Sequence, residues 1–180
     1  MSSAQTGLSV SDPQAYRERL FTLIAGRDPL EVMGETAAKL AEIVASHSLP
    51  VLRSRPFPGK WTPNEIIGHL ADTEWVYGYR QRMILSEENP PISGTKQDLW
   101  VSALHYNQCE PTQLVKEFRT LREFNLALWR RSSPEELKRV GQHNERGTES
   151  LAVIVRMIAG HDLSHLQQIR RYIEAVQQSA

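Results

Sequence analysis

The chain has 180 residues, of which 40% are apolar, and its 21 Lys plus Arg balance 21 Asp plus Glu to a formal net charge of zero. That length reads as a single domain, 1–180, able to bury roughly 70% of its unfolded surface without help from a disulfide or structural metal. The balanced charge excludes a whole-protein field for nucleic acid or an anionic membrane, and the single Cys109 excludes a disulfide framework and a cysteine-built zinc module.

Residues 1–11 carry no secretory pattern and read as a flexible leader, and no apolar run approaches bilayer length, so a reducing cytoplasm is the expected setting. From there prolines punctuate the chain. Asp12-Pro13 and Asp28-Pro29 each set an N-cap acceptor before a residue whose ring already fixes a helical φ. They predict helices over Pro13–Ile24 and Pro29–Ser46. Thr62-Pro63-Asn64-Glu65 is a complete capping box, flanked by Trp61 and Ile66 at hydrophobic-staple spacing, and it starts a helix running to Leu85. Pro111 opens a helix to Arg131. Ser133-Pro134-Glu135-Glu136 repeats the capping box before one short turn, and a last helix spans Ser150–Gln177.

Apolar residues recur at helical spacing in the four longer segments, for example Ile66, Leu70, Tyr77 and Ile84, or Leu151, Ile154, Ile158, Leu166, Ile169 and Ile173. No alternating run bounded by turn residues is present, so no strand is expected. Four amphipathic helices of this length bury their stripes against one another, which predicts an all-α four-helix bundle with a short extra N-terminal helix. The connection Glu87–Glu110 exceeds an ordinary helix–helix loop and reads as a crossover or a functional flap. Periodicity alone leaves the topology open.

Three of the six histidines fall on apolar seams. His161 and His165, four residues apart, share one face of the last helix, and His69 lies on the seam Ile66, Leu70, Thr73, Tyr77. If those helices pack face to face, three imidazoles converge inside the bundle. Buried imidazoles need partners, and a divalent ion supplies them; three histidines with a vacant further position match a catalytic site better than a closed structural one. His47, His105 and His143 sit near helix ends or in loops, where surface roles are the default. His161-Asp162-Leu163-Ser164-His165 departs from the zincin H-E-x-x-H, because Asp162 replaces the general-base Glu and no third ligand follows. Asp162 reads as a supporting or surface group, and Arg170-Arg171 with the scattered arginines reads as a solvated face.

Trp61-Thr62-Pro63-Asn64-Glu65-Ile66-Ile67-Gly68-His69-Leu70-Ala71-Asp72 resembles the W-[ST]-x-x-E-x-x-x-H-L-x-D signature of the DinB-like proteins. The segment Ile158 to Ile169, with His161 and His165, resembles their closing H-x-x-x-H helix, and Arg80, Arg82, Asp98 and Trp100 are similar to the metal-dependent hydrolase branch. The likeness runs from Pro13 to Ile173. It implies an up-down-down-up bundle with Glu87–Glu110 as the crossover between bundle helices two and three. It also implies a divalent metal, zinc or nickel, on His69, His161 and His165. Relatives include bacillithiol-type S-transferases and mycothiol-dependent isomerases, and several are dimers, so a homodimer is among the expectations.

Three functions remain open on these residues. In the first, an enzyme uses the three-His metal to activate a low-molecular-weight thiol for S-transfer. In the second, a metal-dependent hydrolase activates water, aided by a carboxylate, with Asp72 and Glu65 as candidates. In the third, the chain is a non-catalytic stress-response metal-binding module. Asp72, about one helical turn after His69, is also the candidate to hydrogen-bond a ligand imidazole. Cys109 lacks a paired base beyond nearby His105 and is not expected to be a nucleophile. The expected partner is a small-molecule substrate, not nucleic acid or membrane.

Overall fold

The structure, a computed structural model, describes residues 12–179; the leader expected over 1–11 lies outside them. The helices are α1 (Pro13–Ile24), α2 (Pro29–Ser46), α3 (Leu49–Arg53), α4 (Pro63–Ser86), α5 (Gln97–Ala103), α6 (Pro111–Arg131) and α7 (Leu151–Gln178). The short α3 and α5 lie in connections where no helix was expected, and α3, α5 and α6 start without a side-chain cap. Asp12 and Asp28 accept bonds from the first free amides of α1 and α2, and Ser150 does so for α7. The Thr62/Glu65 capping box closes in both directions, and Trp61 and Ile66 are both buried at their staple positions. Ser133 and Glu136 exchange the second capping-box pair of bonds. No helix among the described residues is long and apolar enough to cross a membrane.

Two apolar clusters fix the directions of the bundle helices. One gathers Val32 and Leu151, at the starts of α2 and α7, with Ile84 and Trp129, at the ends of α4 and α6. The other gathers Ile43 and Ile173, at the ends of α2 and α7, with Ile66 and Leu114, at the starts of α4 and α6. The bundle α2, α4, α6, α7 therefore runs up-down-down-up. Because α4 and α6 are parallel neighbours, the Glu87–Glu110 segment must return the length of the bundle. It carries α5 and a 3-10 turn, Tyr106–Gln108. Helix α1 lies along α7.

The expectation of no strands is corrected. Within the described residues β1 (Pro91–Ile92), β2 (Val140–His143) and β3 (Gly147–Ser150) form a small sheet, with β1 parallel to β2 and β2 antiparallel to β3. Strands of two and four residues are too short to display a period-two pattern. The β2–β3 turn is held by His143, whose Nδ1 accepts from the amides of Glu145 and Arg146. His143 is thus buried, 3% exposed, and not a surface residue. Burial, Arg146 and Arg80 push its imidazole down to about 4, so it stays a neutral acceptor.

A second correction concerns a surface place for Asp162 and a solvated one for Arg122, whereas Arg170 and Arg171 are exposed as expected. Arg122 is fully buried, and its guanidinium donates from Nη1 and Nη2 to the Asp162 carboxylate at 2.6 and 3.1 Å and from Nη2 to Glu74 Oε1 at 2.9 Å. Arg122 Nη1 also donates to the Met33 carbonyl. Thr36 Oγ1 donates to Asp162, and Asn125 Nδ2 donates to Glu74. The network joins α2, α4, α6 and α7 in one charged layer. Asp162 is wholly buried because two of its neighbours across the bundle, Arg122 and Thr36, satisfy it.

Candidate metal centre

The capping box and staple that start α4 also build one wall of the site. They fix the first turn, which sets His69 in the second turn facing α7, and the staple residue Trp61 packs on two imidazoles. Its ring lies 4.9 Å from that of His69 and, nearly parallel at 18°, 6.4 Å from that of His165. On α7 the four-residue spacing brings His161 and His165 together across one turn. His161 Nε2 stands 3.2 Å from His69 Nε2 and 3.0 Å from His165 Nε2. One ring nitrogen of each lies within 4.8 Å of the others, and no carboxylate or thiol joins the group. The structure thus brings together all three histidines that the sequence singles out.

All three imidazoles are held neutral. Burial lowers His69 and His161 well below the ordinary histidine range, and the neighbouring rings of the cluster lower them further. Burial brings His165 down to about 4, partly opposed by Gln168 and Asp162. Gln168 Oε1, 2.8 Å away, accepts from His165 Nδ1–H, and Gln168 Nε2 donates to Tyr172 Oη. With its one proton on Nδ1, His165 offers Nε2 as a lone pair toward the cluster. His161 Nε2 faces the Nε2 atoms of both other rings, and a cation among the three would take a lone pair from each. Ligands held about 2.0–2.1 Å from a tetrahedral ion stand about 3.3 Å apart, close to the observed spacing. The residues fit a divalent metal, and His161 Nδ1 is buried with no hydrogen-bond partner.

Asp72 is placed differently from its expected role. Its Oδ1 accepts from Tyr106 Oη at 2.5 Å, its Oδ2 has no hydrogen-bond partner, and neither oxygen bonds an imidazole. Tyr106 can approach because residue 68 is glycine: a Cβ there would overlap the Tyr106 ring. Burial raises the Asp72 carboxyl above the usual carboxylate range, and the Tyr106 bond pulls it back. Glu65 stays the capping-box partner of Thr62 and pairs with Arg55. Cys109 is a free thiol packed partly against the core.

The cluster forms the floor of a cleft of about 130 Å³. Trp61, Asp72 and Gln168 surround the histidines, and Tyr16, Tyr77, Arg80, Thr95, Trp100 and Arg146 line the other end. Sequence reading passed over Gln168, although a polar residue three positions after His165 on the same helical face was the available signal. It had no means of finding Tyr16 or Arg146, which reach the cleft from α1 and from the β2–β3 turn.

The sequence profile of the DinB superfamily matches residues 33–169 of the chain. A protein of Oceanobacillus iheyensis that bears the name "Putative metal-dependent hydrolase OB0782" is 30% identical over 112 residues, 62% of this chain. The chain spans 64% of that relative's length. A second protein of the same organism, OB0413, bears the same description and is 26% identical over 73% of this chain and 76% of its own length. Among solved structures, YfiT from Bacillus subtilis, described as a probable metal-dependent hydrolase with an unusual four-helix bundle topology, aligns with a TM-score of 0.72. That alignment covers 95% of this chain and 94% of YfiT at 20% identity, a likeness of fold.

Proposed function

The chain belongs to the DinB superfamily, and from that premise we propose that it is a metal-dependent enzyme acting on small molecules, with His69, His161 and His165 as the ligands of one zinc or nickel ion that activates a thiol for S-transfer. The observation that carries this reading is the convergence of three neutral imidazoles at the floor of an open cleft, with no anionic ligand among them. A divalent ion held by neutral ligands alone keeps its full charge and lowers the pKa of a thiol or water beside it.

The protein's residues do the rest. Gln168 holds the proton on His165 Nδ1 and so keeps Nε2 directed into the cluster. Trp61 covers the His69 and His165 rings and excludes water from that side. In the proposed step the thiol gives up its proton to water and its sulfur attacks an electrophilic carbon; the new S–C bond forms as the leaving group departs with its electron pair.

A specific observation favours hydrolysis as the second reading. Asp72 lines the same cleft; its Oδ2 is buried without a partner, while Tyr106 fixes its other oxygen, so the carboxylate has an acceptor for the proton of a water admitted beside it. The names of the relatives point the same way.

Two measurements test these readings. Elemental analysis is expected to find one divalent ion per chain, lost in His161→Ala; equal metal in both proteins rejects the ligand assignment. The metal-loaded protein is then offered low-molecular-weight thiols with a chromogenic electrophile, and separately esters and amides without thiol. Chelator-sensitive conjugation supports S-transfer. Turnover of esters or amides with no conjugation supports the hydrolase, and bound metal with neither activity rejects both in favour of a metal-binding module.

A further inference from the structure

Arg80 lies on α4 eleven residues after His69, on the cleft-lining face that also carries Asp72, Thr73, Val76 and Tyr77. It is only 4% exposed. Its described partners are neutral: Nη2 donates to the Ser93 carbonyl, and the guanidinium hydrogen-bonds the Tyr77 side chain. Among the described residues it makes no ion pair, whereas Arg122, its counterpart in the core, has two carboxylates and Arg146 has both oxygens of Glu149. Glu145, the other carboxylate at this end of the cleft, is exposed at the rim and pairs with neither arginine. Glu149 acts on Arg80 through its charge, but both its oxygens are bonded to Arg146. A buried guanidinium with no carboxylate bonded to it is costly, and this one opens onto the cleft that leads to the three histidines. Arginine's planar fork matches a carboxylate or phosphate in two parallel bonds.

We infer that Arg80 is the recognition point for an anionic group, carboxylate or phosphate, carried by the small molecule that reaches the three-histidine cluster. As an account of substrate this rests on the metal-enzyme reading above; as an anion site it does not. Eleven residues of helix separate the two positions by about 16 Å along the axis, and the Arg80 side chain leans back toward the histidines, which bounds the length of the ligand. Tyr16, Thr95 and Arg146 line the same end, so hydroxyls and a second, already neutralised guanidinium surround the anion. The substrate class is thus a small molecule with its reactive head at the histidines and a negative charge at the Arg80 end.

The test uses chelator-stripped protein at low ionic strength, titrated calorimetrically with succinate, with inorganic phosphate and with neutral succinamide. Succinate or phosphate is expected to bind and succinamide not to. Preference for succinate assigns a carboxylate, and preference for phosphate assigns a phosphoryl group. Arg80→Gln is expected to weaken the anion by at least about 10-fold, the worth of a charge-assisted hydrogen bond. The direct reading is the wild-type Arg80 Nε–H resonance, identified by its absence in Arg80→Lys, which is expected to shift as the anion saturates. An unmoved resonance, succinamide binding as well as succinate, or no anion binding at all overturns the inference. Since no metal is present, failure of metal uptake elsewhere rejects the ligand assignment and leaves this result standing.

Discussion

His165 shows how much one proton's position decides. Its Nδ1–H is committed to Gln168 Oε1, and Gln168 is committed in turn to Tyr172. Gln168→Leu keeps the bulk and removes the acceptor, so metal affinity should fall by roughly 10–100-fold with the helical spectrum unchanged, as competition with a chromogenic chelator would report. Unaltered affinity would mean that Trp61 packing alone orients the ring. The same residue makes the metal-free protein acid-sensitive. With a folded pKa of about 4 against an ordinary 6.5, His165 binds fewer protons folded than unfolded between those values. Stability therefore falls as pH drops from 6.5 toward 4, by at most about 1.4 kcal/mol per pH unit from this group. His69, His161 and His143 have the same sign. Urea melts of stripped protein across that range should show the loss, and His165→Gln should flatten it.

At the scale of elements, the close approach of α1 to α7 depends on Gly160, the residue before His161. A Cβ at this position would overlap the carbonyl of Leu20, which is backbone and cannot turn aside. Gly160→Ala should raise helix propensity yet destabilise the protein by about 1–3 kcal/mol, because α1 must move off α7. A urea midpoint at or above the wild-type value would show that the two helices can separate freely. Helix α1 also carries Tyr16 into the cleft wall, so this packing shapes the end of the cleft near Arg80. The crossover performs a similar service: its 3-10 turn delivers Tyr106 to Asp72, and Asn64 on α4 anchors that turn through the carbonyls of Tyr106 and Cys109.

Across the whole molecule, Arg122, Glu74 and Asp162 connect all four bundle helices through one buried layer, with Thr36 and Asn125 completing the bonds. The layer holds two carboxylates against one guanidinium, and Asp162 directly follows a cluster histidine. Asp162 raises the His165 proton affinity, while Arg122 acts on His161 in the opposite sense. Arg122→Met leaves two buried carboxylates unpaired and should destabilise the fold by about 3–5 kcal/mol, read from the urea midpoint at neutral pH. The deficit should shrink as pH falls, since an unpaired buried carboxyl prefers its protonated form. A loss of less than 1 kcal/mol would show that apolar packing alone holds the four helices in register.

The starts of α1, α2 and α4 were legible because capping is local: Asp-Pro and Thr-Pro-x-Glu act on amides within three residues, and the helix start follows whatever packs later. The start of α6 was legible from Pro111 at its first position, without a side-chain cap. The three histidines were legible for a related reason, since helical periodicity puts residues 69, 161 and 165 on inward faces wherever an amphipathic bundle forms. Direction and register were different. The parallel run of α4 and α6 was expected from the family resemblance and not from periodicity; only tertiary structure paired Asp162 with Arg122, bent a two-residue strand onto the β2–β3 hairpin, and set Gln168, not Asp72, in hydrogen-bond contact with an imidazole. Each of these depends on groups far apart in sequence meeting in one low-dielectric place, where a polar atom's energy is decided by its partner and not by its neighbours along the chain. The sequence by itself determined that there would be helices with three imidazoles facing inward; long-range packing decided which charges would be buried together and what surrounds the cleft.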